Sequence, residues 1–459
     1  MAGNADCTDP HQIRRPKKET NPPAIDNLGI PAKIPCTVTP DPETIPPDLP
    51  ETQIIDEIDI DSNRRLLNRY RYIEQRSMRV FAGWLAKVAR FELKCEMGRA
   101  IWEDSLHVNG LYLRLREIQS PAFQKPADPA LVHLMEEMLH APGEMALAVA
   151  FWRVLKPALC TALEKHESTT FPNSDLPSVY AISHIVLDER AQIARIEQLL
   201  VQWETEGRFD ATVAPWADYI RALLCDAGGI TGEETRPVLP AAAPTVRREF
   251  VSPTEAARDE RFTNPGTVAG IWGKTPNEAN YGEHTSWEFE RYSTEMLAAE
   301  TIALVMFQMT SVTITWEFFY DLARHLYDEV RHGLMGYEWM ALHHHDPYVA
   351  PQALAVFRWR SQFTPAEQYG LLTMGNEANV FPYRLRRLEA HRQLGHRLNE
   401  QFVRYDMADE TQHVRFGKRW LPEMLKAVGE PRSLEQFTKE ILEVWHEQYA
   451  TGKYPIQAE

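Results

Sequence analysis

Two short stretches set acids and an imidazole inside segments of helical pattern. "YDEVRH" (327–332) carries Asp328, Glu329 and His332, and "ADETQH" (408–413) carries Asp409, Glu410 and His413. In an α-helix the i, i+3 spacing puts Glu and His on one face, a turn apart. A lone E-x-x-H is weak evidence, because four occur in this chain. Glu137–His140 and Glu443–His446 read as solvated residues near helix ends. The two central pairs differ. Each follows an Asp, and each has a Glu on the preceding helical segment: Glu300, 29 residues before Glu329, and Glu377, 33 residues before Glu410. Antiparallel helices joined by a short loop bring such residues to one height. "MTSVTIT" (309–315) and Gly395 supply the breaks. Glu295 also lies on a helix face and is the alternative to Glu300, which is preferred for its apolar neighbours Leu297, Leu304 and Phe307.

Four carboxylates and two imidazoles converging in an apolar interior would repel one another and lose their hydration. Two divalent cations balance that charge. Carboxylate-rich ligation with one imidazole per metal suits iron or manganese better than zinc. Gly333 and Gly336 follow Glu329 and His332 by one turn; they either leave space beside the metals or let a neighbouring helix close in. His325, one turn before Glu329, reads as a core histidine. No tyrosine lies three or four residues from a ligand, and Tyr369, eight residues before Glu377, reads as too distant to touch the metals.

The elements that must position these residues are helical. Residues 1–60 form a proline-rich tail, "NPPAIDNLGIPAKIPCTVTPDPETIPPDLP" included. Residues 61–225 carry long helical segments, 226–284 are a Gly- and Pro-rich linker, and 285–459 are helical again. Neither block shows alternating strands, so the expected class is all-α, two helical bundles in tandem. A net charge of −16 argues against a nucleic-acid partner. No apolar run of membrane-spanning length stands out, and no signal peptide. The five cysteines (7, 36, 95, 160 and 225) are scattered, which suggests free thiols in a reducing cytoplasm.

The set E, DE-x-x-H, E, DE-x-x-H over residues 285–420 resembles the ferritin-like di-iron carboxylate superfamily. Its DE-x-x-H form is similar to that of the oxygen-activating members, the bacterial multicomponent monooxygenases and the ribonucleotide reductase small subunit. The resemblance implies four-helix bundles, two iron ions (or manganese) on Glu300, Glu329, His332, Glu377, Glu410 and His413, and O2 as cosubstrate. It implies an oxidase or monooxygenase acting on a small organic molecule, and leaves room for an electron-donor protein and a homodimer. Asp328 and Asp409 take the role of acids that orient the metal-bound histidines. A ferroxidase or iron-storage protein is the alternative, although storage proteins are usually single short bundles.

The first block echoes the second imperfectly. "AIWEDSLHVNGLYLRL" sets Asp104 and His107 against Glu329 and His332, with Glu74 30 residues before Asp104. Glu144 echoes Glu377, while "LDERAQ" sets Glu189 and Gln192 against Glu410 and His413. This is the pattern of a tandem duplication whose first copy departs from the ligand set at two positions.

Overall fold

Asp59 opens the first helix: its carboxylate accepts the backbone N–H groups of Asp61 and Ser62, both at 2.9 Å. From here a computed structural model describes residues 58–120, 128–264 and 275–451. Every regular element among them is a helix, so the protein is all-α. The tail lies almost wholly outside the described residues, as do Cys7 and Cys36.

The N-terminal half consists of α1 (Ile60–Trp84), α2 (Phe91–Glu117), α3 (Pro129–Glu137), α4 (Glu144–Val149), α5 (Lys156–Thr169), α6 (Pro172–Thr205) and α7 (Val213–Asp226). The C-terminal half consists of α8 (Tyr281–Tyr292), α9 (Met296–Met309), α10 (Trp316–Leu342), α11 (Leu354–Arg360), α12 (Pro365–Gly370), α13 (Ala378–Gln393), α14 (Arg397–Val428) and α15 (Leu434–Thr451). In each half one helix passes through a π-helical stretch, Ala150–Leu155 between α4 and α5 and Leu371–Glu377 between α12 and α13. The continuous helix Glu144–Thr169 is long and apolar enough to cross a membrane, but 72% of its apolar window is buried inside the protein, as in a core helix.

The buried stripe of α10 runs Phe318, Leu322, His325, Leu326, Glu329, Val330, His332, Gly333, Gly336 and Met340. The chemistry-bearing side chains therefore sit on the core-facing stripe, where burial demands partners. The 32-residue helix α14 does the same: its buried face reads Val403, Asp406, Asp409, Glu410, His413, Gly417 and Leu421, polar through its middle turns. A capping box between Thr364 and Glu367, with Pro365 at the first helical position, starts α12, and Gly429 at φ +68° ends α14.

Both halves belong to one compact unit. Helix α10 packs along α2 and α9 along α1. Described residues between α7 and α8 are irregular but tightly tied down. Ala257 N–H donates to Ala86 O at 2.7 Å, Asp259 accepts Phe91 N–H at 3.2 Å, and Arg247 forks onto buried Glu137 at 2.8 and 3.0 Å.

Candidate metal centre

Helices α10 and α14 deliver Glu329, His332, Glu410 and His413 to one interior point. Glu377 arrives from the end of the π-helical stretch and Glu295 from the residue before α9. The Nδ1 atoms of both histidines face inward. His332 Nδ1 lies 3.3 Å from Glu295, 3.6 Å from Glu329 and 3.8 Å from Asp406. His413 Nδ1 lies 3.3 Å from Glu329, 3.6 Å from Glu410 and 3.9 Å from Glu377. Glu329 faces both imidazoles and stands between the two sets.

Outside this core the aspartates cross over. Asp409 on α14 faces His332 Nε2 on α10 at 3.3 Å, and Asp328 on α10 faces His413 Nε2 on α14 at 3.4 Å. A carboxylate accepting Nε2–H leaves the Nδ1 lone pair pointing inward, the tautomer a metal needs. Arg331 donates to both aspartates, at 2.5 and 3.2 Å, and Arg324 donates to Asp328 at 2.9 Å. Replacing Asp328 or Asp409 with alanine is expected to leave the fold intact and to weaken metal affinity about 10- to 100-fold, the common cost of losing such a partner. Metal titration followed by circular dichroism checks this; unchanged affinity in both variants would reduce these acids to partners of the two arginines.

Eight buried polar atoms of this cluster have no hydrogen-bond partner among the described residues: both oxygens of Asp406, and Glu295 Oε2, Glu329 Oε1, His332 Nδ1, Glu377 Oε2, Glu410 Oε2 and His413 Nδ1. Asp406 contributes two and each of the other six residues one. Buried groups of this kind are costly unless something binds them. Burial is the largest influence on Glu295, Glu329, His332, Glu410 and His413. It pushes Glu410 well above the ordinary carboxylate range, with Glu377 adding to the shift. Against burial, contacts with three imidazoles hold Glu329 well below that range, and the surrounding acids hold His332 and His413 well above the usual imidazole range. The cluster therefore balances itself with protons or with cations. Its donor set of oxygens and imidazole nitrogens, with no thiolate, fits hard-to-borderline transition metals.

Five of the six sequence-predicted ligands converge here, and Glu300 does not. The Glu300 carboxylate pairs with Lys94 Nζ and accepts both arms of Arg258, at 2.5 and 2.8 Å. It faces α2 and the linker, while Glu295 takes the place beside His332. Apolar neighbours told that Glu300 was buried but not what it faced. His325, expected as a core histidine, is part of the cluster: its Nε2 lies 2.9 Å from Glu377 and 3.5 Å from Glu329, and its ring stacks on His413 with centroids 3.8 Å apart. Tyr369 hydrogen-bonds His325 Nδ1 at 3.2 Å, so it stands one imidazole from the centre, with the π-helical stretch separating it from Glu377. Asp406 and Arg384, which no motif marks, pair at 2.9 Å beside His332. Gly336 serves close packing, because a Cβ there would come within 2.1 Å of Ser293 N and 2.6 Å of Phe289 O. At Gly333 a Cβ would meet only the backbone around Ser293 and Met296, at 3.5–4.0 Å, so the glycines do not open a cavity beside the cluster.

A second buried cluster forms in the N-terminal half from Glu74, Asp104, His107 and Glu189. Glu144, read as the counterpart of Glu377, is not in it; that carboxylate accepts Ala89 N–H at 2.6 Å instead. Lys156 is in it. Lys156 Nζ donates to Glu74 and Asp104 at 2.8 Å and to Glu189 at 2.5 Å. Gln192 donates to Glu103 at 3.2 Å and Asp104 at 3.3 Å, and accepts Trp152 Nε1–H at 2.9 Å.

No family model, curated protein or solved structure matches this chain.

Proposed function

We propose that the C-terminal half is a ferritin-like four-helix bundle holding two transition-metal ions, iron by preference, and that it uses them for O2-dependent oxidation or hydroxylation of a small organic substrate. The observation that carries this reading is a set of six of these unpartnered polar atoms, one from each of Glu295, Glu329, His332, Glu377, Glu410 and His413, gathered where four helices meet. In this reading Glu377 and Glu295, the latter in the turn just before α9, fill the places of the two single glutamates, and the Glu-x-x-His pairs of α10 and α14 fill the rest. Iron bound there would supply the redox equivalents for reducing O2. The chain's own residues supply the rest. Asp328 and Asp409 fix the histidine tautomers, and His325 presents Nε2 toward Glu377 and Glu329 with Tyr369 holding its other nitrogen. Apart from the Glu295 side chain, 24% exposed, the six residues are buried, which strengthens each of these contacts.

Anaerobic loading with ferrous iron followed by air tests the reading. About two ions per chain are expected to bind. Air should then produce a transient near-ultraviolet or visible band, decaying to a stable ferric spectrum and faster when the true substrate is present. Continued oxidation and retention of iron far beyond two per chain would instead support a ferroxidase or storage protein and end the enzyme reading.

A further inference from the structure

The two buried clusters correspond position by position. His107 and His332 each lie three residues after an acid, Asp104 and Glu329, on a 27-residue helix of their half. Each turns Nε2 to an aspartate on a later helix, Asp188 at 3.4 Å and Asp409 at 3.3 Å, and each of those aspartates directly precedes a cluster glutamate, Glu189 or Glu410. Lys156 follows the π-helical stretch of its half directly, and Glu377 ends the stretch of the other. Both stand 33 residues before the cluster glutamate of the long helix, Glu189 and Glu410. The register thus pairs Lys156 with a metal-ligand position, and Gln192 with that of His413.

What Lys156 does there is the opposite of what a ligand does. Its ammonium group offers three donors, and three carboxylates from α1, α2 and α6 take them at 2.5–2.8 Å. Neither the lysine nor Glu74, Asp104 and Glu189 is measurably open to solvent. Orphaned atoms are correspondingly few: Asp104 Oδ2 and Glu189 Oε2, against eight in the C-terminal cluster. A metal ion entering this space would meet a cation that cannot leave.

We propose that Lys156 is the resident cation of the N-terminal centre, an ammonium group built into the chain in place of a divalent metal, so that this centre holds the acids of a metal site but takes no metal. The inference is independent of the oxygen chemistry proposed above, since it concerns only which half binds ions. The titration directions agree. Burial acts most strongly on each group, yet the carboxylates raise His107 to about 10 and hold Lys156 well above its ordinary range, so two cations sit among Glu74, Asp104, Asp188 and Glu189.

The test counts cobalt(II), read by its visible absorption and by elemental analysis, in the full chain. In a background with Glu329→Ala and His413→Ala, which disables the C-terminal centre, the Lys156-intact chain is expected to bind no buried cobalt. Adding Lys156→Met should create a site for about one ion per chain, and Lys156→Glu with Gln192→His should bind more tightly still, with melting temperature rising on cobalt addition. Cobalt bound by the Lys156-intact background and lost on Glu189→Gln would overturn the proposal, as would folded Lys156→Met and Lys156→Glu chains that bind none. If neither variant folds, the Lys156-intact background alone decides. Failure of the C-terminal reading is separable, because it shows as an unmodified chain without metal.

Discussion

Glu300→Ala is expected to lower unfolding free energy by about 3–5 kcal/mol and to leave metal content per folded chain unchanged. Glu300 is fully buried between Lys94, 2% exposed at its side chain, and Arg258, 8% exposed. Removing the acid strands both cations in the interior, and an uncompensated buried charge costs several kcal/mol even where the intact pair contributes little. Burial already lowers Lys94 to about 8, with Glu300 pulling the other way. Without Glu300 that ammonium sheds its proton more readily, which offsets part of the loss at high pH and none at low pH. Denaturant midpoints at two pH values measure the effect, with metal analysis alongside. A stable variant that has lost an ion would restore Glu300 as a ligand and undo the placement of Glu295.

Glu329→Ala is expected to bring metal content from about two ions per chain to near zero. This carboxylate faces His332 on one side and His413 and His325 on the other, so its loss damages both positions at once. Glu295→Ala should be milder, costing the ion nearest His332 and sparing the one beside Glu377 and His413. Elemental analysis of purified variants distinguishes them. Equal, partial losses in both would show that Glu329 does not stand between the ions.

The sequence made the all-α class and the two Asp-Glu-x-x-His turns plain, because one face of one helix is a local property and i, i+3 spacing captures it. Helix-to-helix placement was less legible. Glu295 and Glu300 are five residues apart and both buried or nearly so, but which one turns to α10 and which to α2 depends on packing that spacing does not encode. His325 sat on the correct face in plain sight, yet a histidine on an apolar stripe says nothing about its neighbours across the core. Local likeness of "APGEMALAV" to "TMGNEANVF" set Glu144 against Glu377, whereas the interval to the long-helix glutamate, 33 residues in both halves, marks Lys156. For Tyr369 the π-helical stretch matters, because a count of 3.6 residues per turn misplaces residues across a wider turn.

Glu300 also bears on modularity. Its two cationic partners come from an N-terminal helix and from the connecting segment, so the three stretches share a single buried charge balance. The two halves are mutually dependent: a cut between them would expose an acid on one side and two bases on the other. The N-terminal half is therefore not dispensable to the C-terminal half, whose buried Glu300 leans on its charges.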